Sequence, residues 1–104
     1  MYNLENIATQ LGFGINDVKA IITVLVEEAE ISLNKIKEMF KRDAWEQIGI
    51  EAHSIKGSAG NMQLTHLSEL SAALEIAAKA QEKQKVEALI NAVQDTLKQL
   101  HQAL

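Results

Sequence analysis

Residues 16–39 read NDVKAIITVLVEEAEISLNKIKEM, and the spacing inside that run decides the fold. Val18, Ile22, Leu25, Ala29, Ser32, Ile36 and Met39 recur at gaps that alternate four and three. That is the rhythm of a helix packed along other helices. Ser32 is the one polar member, and a back-bond to a carbonyl of the preceding turn is expected of it. Asn16 is placed to cap the start, with Asp17 in the first turn, where the helix dipole favours negative charge.

The same rhythm continues toward the C-terminus. Asp43 with Glu46 three residues on has the form of a capping box and predicts a third helix. Its seam is Trp45, Ile48, Ala52, Ile55, Ala59 and Met62. A fourth helix is expected from about Thr65, carrying Leu67, Leu70, Leu74 and Ala77 or Ala78. A fifth is expected from about Gln84, carrying Val86, Ile90, Val93, Leu97, Leu100 and Leu104. Toward the N-terminus, a short helix from about Asn3 to Leu11 ends at Gly12-Phe13-Gly14, a strong break signal. Alternating strand patterns are absent. Four long amphipathic segments joined by short connections predict an all-α, antiparallel up-down-up-down four-helix bundle. The short additional N-terminal helix would cover one open end. The 104 residues suit a single domain with one aliphatic core, spanning 1–104.

Composition narrows the function classes. There is no cysteine, which excludes a disulfide framework, a thiolate metal site and a cysteine nucleophile. There is no proline to interrupt long helices. The formal charge of −4 and a pI near 5.3 come with no basic patch, so no nucleic-acid partner is expected. No apolar run approaches the roughly 20 residues of a membrane span. Met1-Tyr2-Asn3-Leu4-Glu5 lacks the parts of a signal peptide, so a soluble cytoplasmic domain with no membrane partner is the default expectation. The run Glu82-Lys83-Gln84-Lys85 reads as a solvated turn between helices.

One stretch does not fit a purely structural bundle. Residues 52–61 read AHSIKGSAGN and place His53, Lys56, Gly57 and Gly60 at i, i+3, i+4 and i+7. Those positions share one face of a helix. Each helical glycine costs about 1 kcal/mol relative to alanine, so clearing bulk around the histidine has a physical cost that function would justify. A wheel advanced by about 100° per residue puts His53 well off the seam. It sets Gly57 and Gly60 beside His53 on the outer face and Lys56 between it and the core. Gly49 and Ile50 extend that outer face one turn earlier.

Imidazole keeps a nucleophilic ring nitrogen near neutral pH. A phosphoryl group on it would be met by the Lys56 ammonium one turn away. Gly57 and Gly60 would leave room for a visiting active site. Phosphoryl transfer relies mainly on positioning and charge stabilisation, commonly with Mg²⁺. No carboxylate cluster in the sequence is built to hold that metal, so a partner should bring it, and this chain is expected to bind no cofactor.

Residues 52–61 closely resemble the signature of histidine-containing phosphotransfer (HPt) domains, and Leu67 to Glu75 is similar to the helix that follows in that family. The resemblance extends over the whole chain. It implies that His53 accepts a phosphoryl group from an aspartyl phosphate on one receiver domain and passes it to an aspartate on another. The receivers would be those of response regulators, either free-standing or part of a hybrid sensor kinase. It implies that Lys56 helps neutralise the phosphoryl group and Gly57 keeps the approach open. Ser58, Ala59 and Asn61 match the signature as packing residues. The chain departs from the family where it reads Asn61-Met62-Gln63-Leu64, since members often carry a glycine and an alanine at the last two positions. That departure bears on the end of the third helix.

Rival readings have recognisable signs. His66 and His101 lack a glycine-cleared surround and form no i, i+3 or i, i+4 ligand pair with His53, so no metal site is expected. A self-phosphorylating kinase would need glycine-rich phosphate loops, which this sequence lacks. A helical adaptor or dimerisation bundle accounts for the seams but leaves the histidine-lysine-glycine face unexplained. A monomeric phosphocarrier is therefore the expectation.

Overall fold

In the computed structural model, which describes residues 2–104, the seams fold into five helices and no strand. They are α1 (Leu4–Leu11), α2 (Ile15–Lys41), α3 (Trp45–Asn61), α4 (Thr65–Lys79) and α5 (Lys83–Ala103). Helices α2 to α5 contact one another in a closed ring, α2 on α3, α3 on α4, α4 on α5 and α5 back on α2. Each connection is three residues long. A link that short returns the chain alongside itself, so successive helices run antiparallel. The alternating apolar positions meet along the axis of the ring. Val18, Ile22, Ile36, Ile48, Leu67, Leu74, Val93 and Leu100 are fully or almost fully buried. Burying a side chain of this size stabilises by about 1.5–3 kcal/mol.

Four details of the sequence reading change. In α2, Val26 and Leu33 join the core, while Ser32 is only half-buried. The serine and threonine back-bonds occur instead at Ser71, to the Leu67 carbonyl at 2.8 Å, at Thr23, to the Lys19 carbonyl at 2.7 Å, and at Thr9, to the Glu5 carbonyl at 3.0 Å. Asn16 is not the cap of α2, which starts one residue earlier at Ile15 behind Gly14. Asp43 does not cap α3, whose N-cap is Ala44 with no side-chain bond. The start of α5 falls inside the charged run, at Lys83.

A recurrent turn explains the shifted helix boundaries. After α2, α3 and α4 the chain places one residue in the left-handed region, Asp43 (φ 54°), Gln63 (φ 58°) and Gln81 (φ 56°). In each turn the next amide reaches back five residues, Ala44 to Met39, Leu64 to Ala59 and Glu82 to Ala77, at 2.9–3.0 Å or close to it. This is the Schellman ending, and it satisfies carbonyls left open at the helix end. The turn after α1 is the same, with Gly12 at φ 75°. Only that one uses glycine, for which the conformation carries no Cβ penalty. Gln63 stands where the resembling family often has glycine, and the structure puts the left-handed turn there. Gln63→Gly is therefore expected to raise stability by about 0.5–1 kcal/mol, the relief of the αL cost less the added unfolded-state entropy. Denaturant melting of the two chains checks it.

Helix α1 turns away from α2 by 106° and packs on it across the end of the bundle where α4 begins. Asn3 caps α1, its side-chain oxygen accepting from the Asn6 amide at 3.0 Å. Tyr2 ties this end to α4, its hydroxyl accepting from the Leu67 amide at 3.0 Å. That amide belongs to the first turn of α4, which has no side-chain cap of its own. Burial pushes the Tyr2 hydroxyl above its usual range, against the opposing pull of the Leu67 N–H. At the opposite end, Phe40 and Trp45 meet edge to face at 6.2 Å, and the Lys83 ammonium lies 5.8 Å from the Phe40 ring centre. Among the described residues, no single helix is long and apolar enough to cross a membrane.

Candidate functional site

The most extensive contact in the bundle is between α3 and α4. Both helices carry small buried residues, Gly49, Ala52 and Ala59 on α3 and Ser71, Ala77 and Ala78 on α4. A Cβ at Gly49 would lie 4.0 Å from the Glu75 carbonyl, and a Cβ at Gly60 would lie 3.4 Å from Ser68 Oγ. These two glycines therefore serve the packing of α4. Gly49 is buried, unlike the outer-face position expected from the wheel, while Gly60 is exposed as expected and also abuts α4. The wheel reads one helix at a time and does not show on which side the next one lands.

Close packing of α4 brings a carboxylate to the histidine. Glu75 has only 13% of its side chain exposed, and His53 Nδ1 lies 3.1 and 3.2 Å from its two oxygens. Lys56 Nζ donates to Glu75 Oε1 at 3.2 Å. Lys79, one turn further along α4, pairs with Oε2 at 3.5 Å. Three donors thus converge on one carboxylate. Ser68 Oγ donates to the Lys56 carbonyl at 3.0 Å and ties α3 to α4 just beside the cluster.

The electrostatics follow from that geometry. Burial acts to raise the Glu75 pKa, but the hydrogen bonds and positive charge of His53 and Lys56 outweigh it, and the carboxyl sits below its ordinary value of 4.5. A carboxylate accepts and cannot donate, so the neutral imidazole carries its proton on Nδ1. Its lone pair is then on Nε2, at the opposite edge of the ring. The His53 side chain is 63% exposed, so that edge faces solvent. His53 borders an open groove of about 520 Å³ between α3 and α4, whose walls include Trp45, Ile50 and Lys79. Ile50 is 62% exposed one turn before the histidine. Beside it, a Cβ at Gly57 would meet nothing within 4 Å. Lys56 is half-buried and held by Glu75 rather than free in solvent.

The other histidines differ. His101 Nδ1 stands 3.8 Å from Glu30, and both side chains are largely exposed. His66 lies near the start of α4 by Tyr2 and Gln63. Gln63 is thus at the α1 end of the bundle and takes no part in the cluster. Among the described residues no group of three histidine, cysteine, aspartate or glutamate side chains is placed to hold a metal ion.

Glu75 is the residue that sequence reading missed. Its signal was present: it stands four residues after Ser71 and three before Ala78, both buried, so it continues the inward stripe of α4. An acid in such a position calls for partners. The partners lie on another helix, beyond the reach of a single-helix pattern.

Bundle and cluster together define a class: a four-helix scaffold that presents one exposed imidazole anchored by a carboxylate. Residues 20–103 match the family model of the Hpt domain, and the chain belongs to that family. Hpt domains act in histidine phosphotransfer within phosphorelays, as phosphocarriers rather than kinases, and interact with receiver domains. Helix α1 and the start of α2 lie outside the matched residues. No curated protein and no solved structure matches the chain.

Proposed function

We propose that His53 is the phosphoacceptor of a multistep phosphorelay, taking a phosphoryl group from a receiver aspartate and passing it to the aspartate of a second receiver. The observation that carries this reading is the His53–Glu75 pair, with Nδ1 held at 3.1 Å and the rest of the ring in solvent. The Nε2 lone pair attacks phosphorus as the aspartyl P–O bond breaks and the receiver carboxylate departs. The ring keeps its Nδ1 proton and becomes a phosphoimidazolium. Positive charge therefore develops on the ring during transfer, and Glu75 is the group facing it. Glu75 is a positioning residue that fixes the tautomer and stabilises this charge. In the onward step the N–P bond breaks and neutral imidazole leaves.

Lys56 holds Glu75 in the resting chain and turns to the phosphoryl oxygens once they arrive, as a mobile cation on a flexible stem. The receiver supplies Mg²⁺ from its own acidic site. Gly57 is the opening through which that site closes on the ring. Gly57→Ala is accordingly expected to act in opposite directions on fold and transfer. Helix propensity gains about 1 kcal/mol, while a methyl in a close docked contact costs about 1–3 kcal/mol. A higher melting temperature with slower transfer is the expected result, and equal transfer rates would remove Gly57 from the docking surface.

The reading as a whole is tested by incubating the chain with Mg²⁺ and receiver domains charged by acetyl phosphate. Acid-labile, alkali-stable label on the chain is expected. Absence of label with every receiver of the host would leave the adaptor bundle as the better account.

A further inference from the structure

The most exposed large apolar side chain among the described residues lies outside the acceptor groove. It is Ile76 on α4, 66% exposed. It follows Glu75 and so points about 100° further round the helix, away from α3 and His53. Glu69, Ala72, Ile76 and Lys79 recur at gaps of three, four and three, and they form one outer stripe. Ala73 and Ala80 flank it, so the face is low around the isoleucine. Low relief lets a second helix approach to about 8 Å between axes. The stripe is also symmetric about the level of Leu74. Glu69 and Lys79 stand five residues to either side of it, and Ala72 and Ile76 stand two. Glu69 makes no ion pair among the described residues. Lys79 reaches Glu75 at 3.5 Å, but it is 69% exposed, and an ammonium has three protons to share.

We propose that the outer face of α4 takes a second copy of this chain, the two α4 helices running antiparallel about a two-fold axis at the level of Leu74. Each Ile76 then seats on Ala72 of the other copy, and each Glu69 meets Lys79 of the other copy. Charge and shape together select this occupant. A two-fold interface needs one patch that complements itself. An acid and a base at equal distances on opposite sides of the midpoint do so, and a large and a small side chain do so between them. The buried isoleucines supply the attraction, while the exposed ion pairs add little strength and fix the register. Of the stripe, only Lys79 also borders the groove beside His53, so the second copy sits next to the acceptor face rather than on it. The monomer expected from the sequence is then the dilute state. The pairing is independent of the phosphotransfer chemistry.

Sedimentation equilibrium of the full chain at low salt tests this. A monomer–dimer exchange with a Kd of about 0.1 mM is expected, weak because one helix face falls short of the roughly 1,200 Å² of a stable interface. Ile76→Ser, a change at an exposed position, is expected to weaken it at least about tenfold. Glu69→Lys and Lys79→Glu each set like charges face to face in their own dimers, so each alone is expected to associate at least about tenfold more weakly than wild type. Mixed in equal amounts, the two charge variants join opposite charges at both ends of the stripe. The mixture is therefore expected to recover a Kd within about threefold of wild type. Wild type that stays monomeric up to about 1 mM, a concentration well above the expected Kd, overturns the proposal. A raised half-saturating concentration of Ile76→Ser in receiver labelling would then assign the face to the receiver instead. A wild-type dimer that Ile76→Ser and Glu69→Lys leave unchanged places the contact elsewhere and overturns it equally. So does a mixture of folded charge variants that associates no better than either alone.

Discussion

A His53→Gln chain is expected to take up no phosphoryl group from any charged receiver, while its stability stays within about 1 kcal/mol of wild type. Glutamine fills similar space, and its amide can still donate to Glu75. The position is largely exposed, so no core contact is lost. What disappears is the ring nitrogen, and no other group in the cluster replaces it. Glu75 is an acceptor engaged by three donors, and Lys56 and Lys79 are ammonium groups bound to it. His66 and His101 remain as the other imidazoles, one at the far end of the bundle and one loosely paired with Glu30. Label on either in the variant would show that a free imidazole is sufficient. The arrangement around His53 would then have no chemical purpose.

Removing the carboxylate should be nearly as informative. Glu75→Ala is expected to slow phosphorylation of His53 about a hundredfold, and Glu75→Gln about tenfold, as hydrogen bonds to charged groups contribute about 1.5–3 kcal/mol. The difference between the two separates charge from geometry. Glutamine keeps an oxygen facing Nδ1, so the tautomer survives and only the stabilisation of the developing ring charge is lost. Alanine loses both. Equal rates in Glu75→Gln and wild type would mean that the carboxylate only holds helices together. Stability carries a second sign of the same charge. The folded-state pKa of Glu75 is depressed, so the carboxylate stabilises the fold above its ordinary value of 4.5. That contribution disappears as pH falls through the lower folded-state value. The stability gap between wild type and Glu75→Gln should thus be widest near neutrality and close in acid, as chemical melts across pH would show.

The parts of this molecule that were legible in its sequence are those set by one helix at a time. Seams such as Val18–Ile22–Leu25 and Val86–Ile90–Val93 announce buried faces because 3.6-residue periodicity is local. His53, Ile50 and Gly57 fall on the exposed side for the same reason. Helix boundaries were less legible. Asp43 has the composition of a cap but is spent on a left-handed turn, because the Schellman ending of α2 fixes the register before α3 starts. The fate of Gly49 and Gly60 depended on where α4 packs. The same close approach of α4 brings Glu75 to His53, across 22 residues of sequence. A hydrogen bond between helices leaves no periodic trace in either of them.

The most direct measurement is the position of the phosphoryl group on the chain itself. Protein labelled with nitrogen-15 at histidine, phosphorylated by a charged receiver and observed by phosphorus–nitrogen correlation in solution, reports which ring and which nitrogen carries it. A single signal on His53 Nε2 is the predicted result, with Nδ1 still protonated against Glu75. A phosphoryl group on Nδ1, on His66 or His101, or on a carboxylate would contradict it.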